Sequence, residues 1–215
     1  MSGKRVYQAL EGWRPPTKDF RGYNCANYAS CSKYTAPMKP IFTIHEGEFL
    51  AGDYINRKLG HKYNVWVPTK DSGVDLLVTC KQHEGKSVGL QVKFSRSFDI
   101  REELARHLVA TSWFRLEPAK VRKSRADLWV FVILTLKHEQ YFVIIPKQEL
   151  RRRIPRNSGK RWDLYLWVYD NGSCYQVRDL NTEERLETIH RGVRDRRRDF
   201  SEWLENWKLL EEFSR

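Results

Sequence analysis

The chain has 215 residues, a formal net charge of +12 and a pI near 9.6. Eight Trp, ten Tyr and ten Phe supply the large apolar groups a folded core needs, which excludes a wholly disordered chain. No apolar run approaches the length of a bilayer crossing and the N-terminus lacks a signal-peptide pattern, so the expectation is a cytoplasmic protein without a membrane partner. The basic excess attracts polyanions, and nucleic acid is the commonest of these.

Residues 1–40 read as an arm punctuated by Pro15, Pro16, Pro37 and Pro40, with Tyr7, Trp13, Phe20, Tyr23, Tyr28 and Tyr34 scattered without periodicity. So many aromatic residues predict that the arm packs onto something. Cys25, Cys31, Cys80 and Cys174 show no zinc-type CxxC spacing and too few thiols for a disulfide scaffold, which predicts reduced cysteines. Cys25 and Cys31 as a pair of metal ligands lack His or Cys partners at short spacing.

From Ile44 to Leu59 the periodicity predicts a helix, stopped by Gly60. Strands follow at Asn64–Pro68, Val74–Cys80 and Val88–Phe94. Residues 100–116 read as a helix, then Leu128–Leu136 and Tyr141–Ile145 as buried strands, then Pro146–Ile154 as a helix with Pro in its first turn. A hairpin of Leu164–Tyr169 with Cys174–Val177 turns at Asp170-Asn171-Gly172, and charged helices run from Thr182 to Phe213. This order predicts a mixed α/β fold with a central mixed sheet flanked by helices. The division expected is an arm (1–40), a core (41–150) and a basic extension (151–215).

Two patterns carry chemistry. In the first helix Ala51, Ile55 and Leu59 form one stripe, and Glu48 falls on it while Glu46 faces away. A carboxylate aimed at a core is costly unless a cation, donor or metal meets it. In the strands after it, alternation puts Asp75 on one face and Gln91 and Lys93 on one face. A turn at His83-Glu84-Gly85 pairs these strands antiparallel with Asp75 across from Gln91 or Lys93, so the three polar side chains share a face. A register slip of one residue undoes the convergence. A carboxylate there can hold Mg²⁺, and a nearby Lys can orient a water and offset charge on a phosphorane.

The segments Gly47-Glu48-Phe49-Leu50-Ala51, Gly73-Val74-Asp75-Leu76-Leu77 and Gln91-Val92-Lys93 resemble, in this order, the signature of the PD-(D/E)XK nuclease superfamily. The resemblance covers roughly residues 41–150 and implies a restriction-endonuclease-like core. It implies Mg²⁺, with Mn²⁺ as a substitute, held by Asp75 with Glu48, Gln91 and the Val92 carbonyl, and Lys93 as the catalytic lysine. The chain departs from the family where Gln91 stands at a usually acidic position; an amide oxygen still ligates a cation but brings no charge. Activity implied is DNA endonuclease of the restriction or the recombination and repair type.

Arg151, Arg152, Arg153, Arg156, Lys160 and Arg161 form the expected DNA-backbone contact, with Ser95 and Arg96 close to the scissile strand. Arg191, Arg194, Arg196, Arg197 and Arg198 read instead as a solvated or oligomeric helix face, and a homodimer stays open. Two alternatives remain: a nuclease-fold DNA-binding module without catalysis, for which Gln91 speaks, and a basic RNA-binding protein, which leaves the polar hairpin unexplained.

Overall fold

A computed structural model describes residues 44–69, 73–82, 86–100, 103–156 and 158–214. The expected arm, with Cys25 and Cys31, lies outside the described residues. The described residues belong to one compact unit. It is a mixed α/β fold in which a five-stranded sheet is flanked by helices.

Helix α1 (Glu46–Leu59) opens with a capping box in which Glu48 accepts the His45 N–H, and it buries Gly47, Ala51, Gly52 and Ile55. Strands β1 (Tyr63–Trp66), β2 (Leu76–Cys80) and β3 (Ser87–Arg96) then form an antiparallel meander. Strand β6 (Leu128–Leu134) lies parallel to β3, and β7 (Gln140–Pro146) antiparallel to β6, giving the sheet order β1-β2-β3-β6-β7. Every residue of β6 is buried, which is why its sequence shows an unbroken apolar run rather than alternation.

Residues 100–116 are not the helix the sequence suggests. Their described part holds a 3₁₀ turn (Glu103–His107), β4 (Leu108–Thr111) and β5 (Phe114–Leu116). Phe114 and Leu116 are buried and Arg115 is exposed, a period of two. Sheet partners outvote the helical start: β4 pairs β9 (Leu166–Tyr169), and β5 pairs β8 (Trp162–Leu164).

Short α2 (Pro118–Lys123) leads into β6, and α3 (Lys147–Arg153) follows β7, with Pro146 as its cap rather than inside its first turn. The hairpin pairs β9 with β10 (Cys174–Gln176), Cys174 opposite Val168. The tail is less helical than its charge pattern suggests. Helix α4 (Thr182–Arg191) and α5 (Leu209–Phe213) are separated by 3₁₀ turns, one of which carries Arg196–Arg198.

The extension shares the main core: Trp162, Leu164, Phe200, Trp203 and Trp207 pack in the same cluster as α1 and the sheet. Trp207 stacks on Tyr54 of α1 at 4.9 Å and meets Phe142 of β7 edge-on at 5.2 Å. The C-terminal segment thereby clamps α1 against the sheet. A second cluster, with Leu104, Trp167, Tyr169 and Tyr175, lies under α4. No helix among the described residues is long and apolar enough to cross a membrane.

Candidate active site at the open edge of β3

Strand β2 ends at Leu76, opposite Leu90, whereas β3 runs on to Arg96. From Gln91 onward β3 therefore has β6 on one side and an open edge on the other. Asp75 sits at the corner. Its N–H donates to the Leu90 carbonyl at 2.8 Å, and continuing the register by one step sets it across from Gln91. Its Oδ2 accepts the Val92 N–H at 2.7 Å and the Gln91 side-chain amide. In a strand the N–H and C=O of one residue point to the same edge, so the Val92 carbonyl faces the same opening as its N–H.

Helix α1 brings Glu48 to this corner because Gly47 lets the helix approach β3 closely. A Cβ added to Gly47 would stand 2.7 Å from the Phe94 Cβ, and only glycine fits there. Glu48 is half-buried, and burial raises its carboxyl pKa above the ordinary value of 4.5. The His45 N–H works against that rise, the Asp75 charge adds to it, and His45 and Lys93 oppose it. Asp75 and Lys93 thus both lie within electrostatic reach of Glu48. Lys93 projects on the Gln91 face, its Nζ 5.9 Å from the centroid of the Trp129 ring. Among the described residues that ammonium makes no hydrogen bond or ion pair.

The structure thus joins Asp75, Gln91 and Val92 by direct contact and adds Glu48 and Lys93 through space. Among the described residues no three His, Cys, Asp or Glu side chains gather as a metal-ligand group. The available donors are instead two carboxylates, one amide and one backbone carbonyl. An all-oxygen set suits a hard cation such as Mg²⁺ or Mn²⁺ and does not suit zinc. Gln91 turns its NH₂ toward Asp75, so its oxygen becomes a ligand only if the amide turns over.

The basic residues divide. Ser95 is 9 % exposed and spends its hydroxyl inside the fold, accepting the Trp113 N–H at 3.1 Å. Arg96 pairs with Glu46 at 2.9 Å, and Arg152 pairs with Glu149. Arg153 is sequestered: its guanidinium lies 3.8 Å from the Trp203 ring centroid and pairs with Glu149 at 3.3 Å. Arg151, Arg156, Lys160 and Arg161 are exposed and make no side-chain hydrogen bond or ion pair among the described residues. Of the second cluster, Arg194 pairs with Glu187, Arg197 with Asp195, and Arg198 donates to Gln176 and the Arg178 carbonyl. Burial pushes the Cys174 thiol far up, which leaves it unreactive.

Sequence reasoning missed Trp129, because its contact with Lys93 depends on the parallel β3–β6 register and no local signal announces it. No family model matches the chain, no curated protein matches it, and no solved structure matches it.

Proposed function

We propose that this protein is a Mg²⁺-dependent DNA endonuclease with a restriction-endonuclease-like core spanning α1 to β7. The observation that carries the reading is Asp75 at the open edge of β3, in contact with Gln91 and Val92 and within electrostatic range of Glu48 and Lys93. Asp75, Glu48, the Val92 carbonyl and a turned-over Gln91 amide would hold the cation. A Mg²⁺ held by these residues would supply Lewis-acid chemistry, polarising a phosphate and favouring ionisation of water.

The chain's own groups do the rest. Lys93, its Nζ over the Trp129 ring and its charge within range of Glu48, would orient the attacking water and neutralise charge that grows on the phosphate oxygens. Asp75 is kept in place by two N–H donors, so it does not have to reorganise when substrate arrives. Glu48 brings a second carboxylate to the corner, and its protonation tunes how much negative charge the corner offers.

The test is incubation of pure protein with supercoiled plasmid in Mg²⁺, beside an EDTA control. Nicking or linearisation in Mg²⁺ alone supports the reading, and an intact plasmid under both conditions counts against it. A second reading, a binding module of the same fold without catalysis, is favoured by the amide of Gln91, which satisfies Asp75 with no cation present. In that case plasmid is bound and never cut.

A further inference from the structure

A cavity of about 440 Å³ is lined by the rings of Phe98, Tyr165 and Trp167, by the cations Arg178 and Arg185, and by the carboxylates Asp99 and Asp179, with Arg178 paired to Asp179. We propose that it takes an unstacked nucleotide, which makes the substrate a DNA with an unpaired or extruded base. The proposal rests on the reading of the corner as a DNA-cleaving site and narrows its substrate class.

Phe98 lines the cavity and is 40 % exposed, so its ring is open to a stacking partner. Its backbone is nonetheless fixed: its N–H donates to Thr111 Oγ1 at 3.0 Å and its carbonyl accepts from that hydroxyl at 2.7 Å. A ring presented rigidly to solvent costs little entropy when it stacks. Nearby, Trp113 is 43 % exposed, lies 6.3 Å from the Tyr165 ring and carries the Arg115 guanidinium 4.9 Å from its own centroid. Aromatic rings interleaved with guanidinium groups are the composition of a stacking platform for nucleic acid.

The cavity wall supplies a second ring: Trp167 lines it, with its indole N–H buried. The Arg185 guanidinium lies 5.1 Å from that ring, so a cation stands beside the base position. Phe98 follows Lys93 by five residues, a separation of no more than about 18 Å. One strand can therefore engage both places.

The experiment measures binding by fluorescence anisotropy in EDTA with Asp75→Ala protein, so that cleavage plays no part. The probes are a labelled duplex with one bulged base and the same duplex fully paired. The bulged duplex is expected to bind more tightly. Phe98→Ala should weaken its binding roughly ten- to a hundred-fold, the range of a lost base–aromatic stack, and leave the paired duplex unchanged. Equal affinity for both duplexes, or Phe98→Ala acting on both alike, overturns the proposal. Bulge-selective binding by a parent protein that cuts nothing in Mg²⁺ supports the cavity and sinks the DNA-cleaving reading instead.

Discussion

Gln91 sets the electrostatic character of the corner, because the amide leaves Asp75 and Glu48 as its only two carboxylates among the described residues. Gln91→Glu adds a third acidic group, so Mg²⁺ should bind more tightly, measured by the midpoint of a Mg²⁺ titration of cleavage. Turnover need not rise with it, since a more neutralised cation is a weaker Lewis acid. Glu48 sets the acid limb. In the metal-free corner burial raises its pKa, so as the pH falls a proton competes with the cation earlier than at an ordinary glutamate, and Mg²⁺ affinity should decline on the acid side. Glu48→Gln should be slow throughout and lack that limb in a pH–rate profile. Asp75, Gln91 and Lys93 were legible because alternation fixes the face each occupies and β2 pairs β3 antiparallel, as expected; the turn residues His83-Glu84-Gly85 themselves lie outside the described residues. Arg153 was not legible: an arginine in a basic run looks solvated, and only the fold reveals Trp203 beneath it.

At the scale of elements, α1 and β3 form one device. The contact of Gly47 with Phe94 sets how far Glu48 reaches, and α1 has no room to move closer. Gly47→Ala drives a methyl into Phe94, so the fold should lose about 1–3 kcal/mol in urea denaturation. Cleavage should fall with it because Glu48 is pushed away from Asp75. Equal stability would mean that α1 shifts without resistance. β3, β6 and β7 were readable as strands from apolar patterning, and the hairpin of β9 with β10 from its turn residues. The stretch 100–116 was not, because its helical start is overruled by pairing with β8 and β9, whose positions lie some fifty residues away. Pairing of that range leaves no local signature.

Over the whole molecule, the C-terminal segment holds the site together from behind. Trp207 presses on Tyr54, and Glu205 Oε1 accepts the Phe142 N–H at 2.6 Å while its own N–H donates to the Phe142 carbonyl. Burial raises the Glu205 pKa above 4.5, with the Phe142 N–H opposing. The folded state thus holds that proton more tightly than the unfolded chain. The stabilising contribution is complete below the unfolded value and lost as the pH rises through the folded one. Glu205→Gln keeps an acceptor for Phe142, so it should gain stability over the parent at neutral pH, with the gain vanishing toward pH 4 in paired denaturation curves. The exposed Arg151 and Arg161 belong to the same scale. Their joint replacement by Ala should weaken DNA binding and reduce its salt slope by about one per lost phosphate contact.

The role proposed for Asp75 is to anchor a cation that drives phosphodiester cleavage. The measurement is plasmid cleavage rate across a Mg²⁺ titration for the parent and for Asp75→Ala, with DNA binding measured alongside. The rate should saturate with Mg²⁺ in the parent, Asp75→Ala should not cleave at any Mg²⁺ concentration, and DNA affinity should be nearly unchanged between them. Asp75→Ala cutting as fast as the parent would contradict it.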